Sequence, residues 1–223
     1  MADSKRDLIM AAGARVFPEL GFHEATVEDV IKAAGVARST FYAYFSSKRE
    51  LFIYVVTART NDIVEIVRIG VNSIIAQFEL PAVHPMTSLF EEPLALLSTE
   101  VFAFVRRNRG VAKVFLHEMV GADEEFSRIY NDFQEQLVDQ FQRLIECGIK
   151  TGVMRKIDPR TAAEFIVSGH MYLARSFSAG RPSLNIETVA HQFSDLQFRG
   201  LIHRSAAMSA DENKAMAAAE APR

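Results

Sequence analysis

Residues 26–48, TVEDVIKAAGVARSTFYAYFSSK, contain two short helical patterns that meet at a tight turn. In the first pattern, apolar residues recur three and four positions apart and form one stripe on a helix: Val27, Val30, Ile31 and Ala34. Thr26 and Asp29 have the spacing of a helix N-cap and its capping-box acid. Gly35 stands where a sharp turn needs a positive φ, which glycine adopts without steric cost. The stretch therefore predicts a helix-turn-helix.

The second helical pattern of this stretch has an apolar side and a polar side. At 100° per residue, Phe41 and Tyr44 project together and are expected to be buried. The opposite side carries Arg38, Ser39 and Tyr42. An arginine can contact guanine through two hydrogen bonds, a serine can bond to several base edges and a tyrosine can donate to a phosphate oxygen. The alternative for this polar side is an ordinary solvated helix face. In a helix-turn-helix, however, the start of the second helix enters the major groove, so these residues indicate binding to double-stranded DNA.

The following helix is expected to begin after Ser47, because Ser47 and Glu50 have the spacing of a second capping box. Its free backbone N–H groups, together with Lys48, are expected to bind a backbone phosphate; the alternative for Lys48 is an ordinary surface lysine. Between Val30 and Arg49 there are four basic residues and no acidic one, although the formal net charge of the chain is −3. This locally basic segment is therefore the expected DNA contact surface.

The amino-terminal part of the chain, through Leu51, resembles the DNA-binding domain of the TetR family of transcriptional regulators, whose motif is T-x-x-x-I-A-x-x-A-G-V-S-x-G-x-x-Y-x-Y-F-x-x-K-x-x-L. The matching residues follow in the same order without a gap: Thr26, Ala34, Gly35, Val36, Tyr42, Tyr44, Phe45, Lys48 and Leu51. The resemblance implies that six residues contact DNA, namely Thr26, Arg38, Ser39, Thr40, Tyr42 and Lys48. Ala37-Arg38-Ser39 replaces the family's Ser-x-Gly, so the operator sequence cannot be transferred.

The rest of the chain also reads as helices. A first helix over about residues 4–20 is expected to bend at Pro18 and to bury one face, formed by Leu8, Ile9, Ala12, Val16 and Leu20. A pattern without proline from Ser47 to Phe78 predicts one long helix that links two domains. Further helices are predicted at 94–109, 111–120, 123–150, 158–179 and 185–204. Strand-type alternation is absent, so the predicted fold class is all-α. The predicted domains are a three-helix DNA-binding domain at 1–46, a helical ligand-binding and dimerisation domain at 47–204 and a disordered tail at 205–223.

The last two long helices carry apolar stripes that fit either the core of one chain or a dimer interface. They consist of Phe165, Ile166, Gly169, Leu173 and Phe177 in one helix, and Ile186, Val189, Phe193, Leu196 and Leu201 in the other. A two-fold dimer presents two recognition helices one helical turn of DNA apart, or a multiple of it. The resemblance implies that these helices pack against their copies as a four-helix bundle, and a homodimer is expected.

Aromatic residues of the second domain are candidates for the lining of an effector cavity, although each of them also fits an ordinary core. The candidates are Phe102, Phe115, His117, Met119, Phe126, Tyr130, Phe133, His170 and Phe177. Pockets lined in this way take apolar or amphipathic ligands. The two histidines are candidate polar anchors, or alternatively core histidines with satisfied hydrogen bonds.

No combination of residues indicates catalysis, a metal site or a bound cofactor. Nucleotide-binding glycine motifs are missing, and Gly121 stands where a zinc H-E-x-x-H motif starting at His117 needs its second histidine. A single cysteine, Cys147, and the lack of a long apolar run predict a cytoplasmic protein. The resulting hypothesis is a repressor released from a palindromic operator by a small effector. The alternative is a DNA-associated adaptor whose second domain binds a protein and no small molecule.

Overall fold

The computed structural model describes residues 5–78, 91–118, 123–180 and 185–201. Its nine elements in these ranges are all α-helices: α1 (Lys5–Leu20), α2 (Val27–Ala34), α3 (Arg38–Tyr44), α4 (Lys48–Phe78), α5 (Glu91–Arg107), α6 (Arg109–Glu118), α7 (Glu124–Lys150), α8 (Pro159–Ser178) and α9 (Ile186–Leu201). The predicted all-α class and the long α4 are confirmed. The helices predicted beyond residue 93 are confirmed within the described ranges as α5 to α9, with α5 beginning at Glu91, and their predicted ends at 119–120 and 202–204 lie outside those ranges. The predicted tail, 205–223, lies outside the described residues.

The described chain forms two compact units. Unit 1 consists of the described residues within 1–64, 104–134 and 172–182, and unit 2 of those within 65–103, 135–171 and 183–223. Helices α4, α5, α7 and α8 contribute residues to both units. The domain boundaries predicted from the sequence differ from this division and stay a prediction.

In unit 1, helix α1 buries a stripe that includes Ile9, Ala12 and Val16, as expected. The stripe is rotated toward Gly13 and Phe17, which are also buried. The expected burial of Leu8 and Leu20 is wrong, since they are 44% and 46% exposed. The reason is the close approach of α4: a Cβ on Gly13 would lie 3.0 Å from Leu51 Cδ2. Pro18 lies inside α1, and a Cβ on Gly110 at the start of α6 would lie 2.2 Å from Pro18 Cβ. Helix α6 therefore crosses α1 at a position that requires glycine.

A cluster of phenylalanine rings forms the centre of unit 1. The Phe22 ring centroid lies 4.7 Å from that of Phe52 and 5.7 Å from that of Phe126, and Phe17 lies 5.0 Å from Phe52. Ring pairs at these separations stabilise a core beyond their buried area. The cluster joins α1, the α1–α2 turn, α4 and the first turn of α7. The helix-turn-helix thus rests on a core that extends well beyond residue 46.

Candidate DNA-binding surface and ligand-binding region

Local hydrogen bonds define both ends of α2, the first helix of the helix-turn-helix. Thr26 Oγ1 accepts from the Asp29 backbone N–H at 3.2 Å, and Asp29 Oδ2 accepts from the Thr26 backbone N–H at 2.9 Å. The predicted capping box is therefore confirmed. Hydrogen bonds from the Thr26 side chain and then its backbone lower the pKa of the Asp29 carboxyl. Gly35 has a φ of 65° and its N–H donates to the Ile31 carbonyl, so α2 ends in the left-handed turn predicted for it.

Helix α3 has one buried ring and an exposed polar side. Phe41 is fully buried, whereas Arg38, Ser39 and Tyr42 are exposed, as predicted. The prediction that Tyr44 is buried is wrong, because 42% of its surface is exposed. Phe45, just after the helix, supplies the second buried ring instead, with only 2% exposed. Thr40 is half-buried between the two sides.

Arg38 is paired with Glu28, which lies in the first turn of α2. Arg38 Nη1 donates to Glu28 Oε1, and the two side chains are 66% and 59% exposed. The Arg38 guanidinium also lies 5.6 Å from the centroid of the Tyr42 ring. A pair this exposed contributes about 0–1 kcal/mol to stability. Sequence reasoning missed Glu28, since it lies two residues before the segment counted as free of acids.

Lys48 has a different environment from the one predicted. Its ammonium donates to the backbone carbonyl oxygens of Phe22, His23 and Ala25 at 3.0, 2.8 and 2.7 Å. A lysine has three N–H donors, so all of them have acceptors in this arrangement. Lys48 therefore closes the α1–α2 turn. Its contact with a phosphate stays a prediction, which requires the ammonium to leave a carbonyl.

Two serines form hydrogen bonds at the start of α4, and one of them caps the helix. The Glu50 backbone N–H donates to Ser47 Oγ at 3.1 Å, which confirms Ser47 as the cap. The Glu50 carboxylate accepts instead from Ser46, from its backbone N–H and its hydroxyl at 2.6 Å each. These bonds, with the Ser46 side chain first, lower the pKa of Glu50. The predicted second capping box is therefore only partly confirmed: Ser47 caps the helix, but the Glu50 carboxylate binds Ser46 and not the Ser47 backbone N–H.

Arg49 binds the start of α7 through a group of contacts that the sequence did not reveal. Its Nη1 lies 2.7 Å from Asp123 Oδ2, its Nη2 lies 2.7 Å from Glu125 Oε2, and its guanidinium lies 4.3 Å from the Phe126 ring centroid. Asp123 also caps α7, because its Oδ1 accepts from the Phe126 N–H at 3.0 Å. The Arg49 hydrogen bond is the main reason that the pKa of Asp123 falls to about 2. The helix-turn-helix and α7 are thereby connected within unit 1.

The predicted ligand contacts are distributed over both units. Unit 1 holds Phe115, His117, Phe126, Tyr130, Phe133 and Phe177, and unit 2 holds Phe102 and His170. Met119 lies outside the described residues. The structure brings Phe115 together with Tyr130 and Phe133, at centroid distances of 5.6 and 5.7 Å. Burial raises the pKa of Tyr130. Phe126 belongs instead to the phenylalanine cluster beneath the helix-turn-helix.

The two candidate histidines differ in their surroundings. His117 Nε2 lies 3.4 Å from both Ser178 Oγ and the Arg175 carbonyl oxygen, and its side chain is half-buried. His170 is buried: Nδ1 donates to the Ile166 carbonyl at 2.9 Å, and Nε2 lies 3.0 Å from Ser98 Oγ.

The rings of Phe102, Phe141 and Phe193 surround His170, with centroids 5.5, 5.6 and 4.7 Å from that of the imidazole. This burial lowers the pKa of His170 to about 4. His170 and Phe102 therefore have core roles, as the alternative interpretation held, and ligand contact by either of them stays a prediction.

Unit 2 presents an apolar groove between α8 and α9. The groove has a volume of about 550 Å³, and among its lining residues Phe165 is 84% and Leu196 71% exposed. The helices cross closely at Gly169, where a Cβ would lie 2.5 Å from Phe193 Cζ. Gln197 also lines the groove, and its buried side-chain nitrogen has no hydrogen-bond partner among the described residues.

The predicted apolar stripes of α8 and α9 are not uniformly exposed, since several of their members are buried, including Ile166, Phe177, Ile186 and Leu201.

No helix in the described ranges is long and apolar enough to cross a membrane. Within the same ranges, His, Cys, Asp and Glu side chains do not gather in a group of three that could hold a metal ion.

Two sequence profiles together cover most of the chain. Residues 9–55 match the tetR family of bacterial regulatory proteins, and residues 89–201 match the tetracyclin repressor-like C-terminal domain. The chain belongs to the TetR family. Its resemblance to that family is thus confirmed, and the protein is a DNA-binding transcriptional regulator.

Individual relatives of this TetR-family regulator extend over nearly its whole length. It is 22% identical over 190 residues to the HTH-type transcriptional regulator YhgD of Bacillus subtilis, covering 85% of this chain and 93% of the relative. The fatty acid degradation regulator FadR from Bacillus halodurans superposes with a TM-score of 0.71 at 24% identity, covering 90% and 97% of the two chains. FadR from Bacillus subtilis in complex with stearoyl-CoA gives 0.70 at 21% identity, covering 88% and 98%. These two structures share the fold.

Proposed function

We propose that this TetR-family regulator is a homodimeric repressor that reads a palindromic operator with the exposed side of α3. The observation that carries the proposal is the chemistry of that side, where Arg38, Ser39 and Tyr42 are exposed while Phe41 anchors the helix from behind. A bidentate arginine–guanine contact contributes about 1–3 kcal/mol of discrimination, and hydroxyl groups add bonds to bases and phosphates. The six predicted contact residues remain the proposed DNA-binding set, with Thr26 and Lys48 acting also through their structural bonds.

The groove between α8 and α9 is the proposed dimer interface. Large apolar side chains such as Phe165 and Leu196 are unfavourable in water and favour a covering partner. In a two-fold dimer each copy offers the same patch, so a second copy covers the first and is covered by it. Such a dimer carries two α3 helices, which suits two operator half-sites.

The proposed effector is a small apolar or amphipathic molecule, and a long-chain acyl thioester belongs to that class. Support comes from the similar fold of the Bacillus subtilis regulator bound to stearoyl-CoA. In this chain the cluster of Phe115, Tyr130 and Phe133 is the candidate wall of the site, since ligand pockets are mostly lined by such side chains.

The proposed mechanism is a population shift between two conformations of the dimer, one that binds the operator and one that does not. The proposed location is the cytoplasm. The effector favours a dimer whose two α3 helices no longer fit successive major grooves, so that effector and operator weaken the binding of each other by the same factor.

The test begins with selection of preferred duplexes from a random double-stranded DNA library. A palindromic sequence is expected, and Arg38→Ala should lose preference at one base pair in each half-site. Stearoyl-CoA should then lower the affinity for that duplex about 5-fold to 150-fold, whereas free CoA should not. An operator affinity that no acyl-CoA changes contradicts this effector class. It favours the adaptor alternative, in which a protein binds the second domain.

A further inference from the structure

Glu28 is an acidic residue placed against the arginine that is proposed to read bases. The capping box of α2 does not use it, because Asp29 makes the bonds to Thr26. Its carboxylate instead accepts a hydrogen bond from Arg38 Nη1, across the turn between α2 and α3. Glu28 therefore lies in the first turn of one helix and pairs with the first residue of the next.

We propose that Glu28 is a positioning and specificity-determining residue, which holds the Arg38 guanidinium ready for a guanine. This inference rests on the proposed base-reading role of Arg38. A guanidinium has five N–H groups in a rigid planar fork, and the bond to Glu28 occupies one group on Nη1. The other four leave enough donors for the O6 and N7 atoms of guanine.

The Tyr42 ring restrains the same guanidinium from another direction, at 5.6 Å from its centroid. An exposed arginine without these contacts samples many rotamers and loses that freedom when it binds a base. Restraint by Glu28 and Tyr42 reduces the side-chain entropy that Arg38 loses when it binds the preferred base pair. It does little at other base pairs, where the restrained guanidinium has no matching acceptors. The pair thus raises sequence preference more than overall affinity.

Electrostatics alone predicts the opposite effect of Glu28 on operator binding. A carboxylate beside DNA repels the phosphates, so its removal should strengthen binding to every duplex alike. Positioning predicts instead that removal weakens binding to the preferred duplex and weakens discrimination at one base pair. The two explanations differ in sign for the same measurement.

The experiment compares Glu28→Ala, Glu28→Gln and Arg38→Ala on the duplex selected by the wild-type protein and on versions with each base pair replaced in turn. Glu28→Ala is expected to reduce discrimination about 2-fold to 5-fold at the base pair that Arg38→Ala also affects. Glu28→Gln, which keeps an acceptor oxygen, should retain part of this discrimination. In the Arg38→Ala background, Glu28→Ala should have no further effect at that base pair.

Glu24→Ala is the matched control, since Glu24 is an exposed acid just before α2 and its loss removes the same charge. It should change the affinity for all duplexes by a similar factor. If Glu28→Ala behaves like Glu24→Ala and leaves every base preference intact, the positioning role is wrong while the reading surface stands. If Arg38→Ala also leaves base preference intact, the reading surface is wrong, and the role of Glu28 is overturned with it.

Discussion

The exposed side of α3 and the groove between α8 and α9 are both open to solvent, but their chemistry is opposite. Helix α3 presents a guanidinium and hydroxyl groups, whereas the groove presents Phe165 and Leu196, which are 84% and 71% exposed. Water solvates the first set well and the second poorly. Exposure alone therefore does not identify a binding surface. The chemistry of what is exposed favours a polar, charged partner for α3 and an apolar protein surface for the groove.

The two regions also differ in how they are held. Helix α3 has seven residues and depends on its neighbours, namely the caps of α2 and the Lys48 bonds to the α1–α2 turn. Helix α8 has 20 residues and carries His170 in the core of unit 2. Variants that change one region and spare the other can therefore test the comparison.

The largest effect is expected from Phe165→Glu. If the groove is the dimer interface, the substitution buries one unpaired carboxylate in each copy, at about 3–5 kcal/mol each, and weakens dimerisation by roughly ten-thousandfold or more. Operator binding should fall with it, because one α3 helix cannot occupy two half-sites. Sedimentation of the wild-type and variant proteins measures the change in mass. Leu8→Glu, at an exposed leucine of α1, is the control and should leave the mass unchanged.

Acid should next distinguish the core beneath α8 from the α3 surface. Burial lowers the pKa of His170 to about 4, so the folded protein keeps this imidazole neutral at a pH where the unfolded chain protonates it, near the ordinary value of 6.5. Its contribution to stability is complete above pH 6.5 and is lost as the pH falls toward 4, by about 3 kcal/mol in total.

Urea unfolding at a series of pH values checks this loss. Between pH 6.5 and 5, where few carboxylates titrate, His170→Gln should remove most of the slope of unfolding free energy against pH. His23→Gln, at an exposed histidine, should retain it. An unchanged slope in the His170 variant would contradict the buried neutral imidazole.

The smallest effect is expected from Lys48→Met, which keeps most of the side-chain volume and removes the three hydrogen bonds to the α1–α2 turn. The free energy of unfolding should fall by about 1–2 kcal/mol, because charged groups contribute more than neutral ones to such bonds. Lys32→Met, at an exposed lysine of α2, should have little effect. Unchanged stability combined with a salt-dependence slope reduced by about 0.9 would show that Lys48 binds a phosphate and not the turn.

Much of the helix-turn-helix could be predicted from the sequence because its signals are local. The capping box joins Thr26 to Asp29, three residues apart, and the left-handed turn needs only Gly35. The amphipathic pattern of α4 likewise predicted a helix that runs to Phe78. Hydrogen bonds between near neighbours and helical periodicity depend on residue order alone, so one sequence is enough to predict them.

The candidate site could be predicted only in part. Arg38, Ser39 and Tyr42 were correctly placed on an exposed side because Phe41 fixes the rotation of α3. Glu28 was missed because it lies ten residues from Arg38 in sequence and on a different helix. Their contact depends on how the turn orients α2 against α3, and helical periodicity does not give that orientation. The proposed ligand contacts were the least predictable, since every buried phenylalanine has the same sequence signature whether it packs on another ring or on a ligand.

By itself the sequence determined the helices, the turn and the chemistry that α3 offers, since these follow from spacing along one chain. Only the tertiary structure decided which apolar residues are covered: Phe165 and Ile166 are adjacent and similar in character, yet one is 84% and the other 6% exposed. It also decided that Lys48 binds backbone carbonyls and that Arg49 meets Asp123, 74 residues away. Burial and long-range ion pairs depend on which helices pack together, and the spacing of residues along one helix does not contain that information.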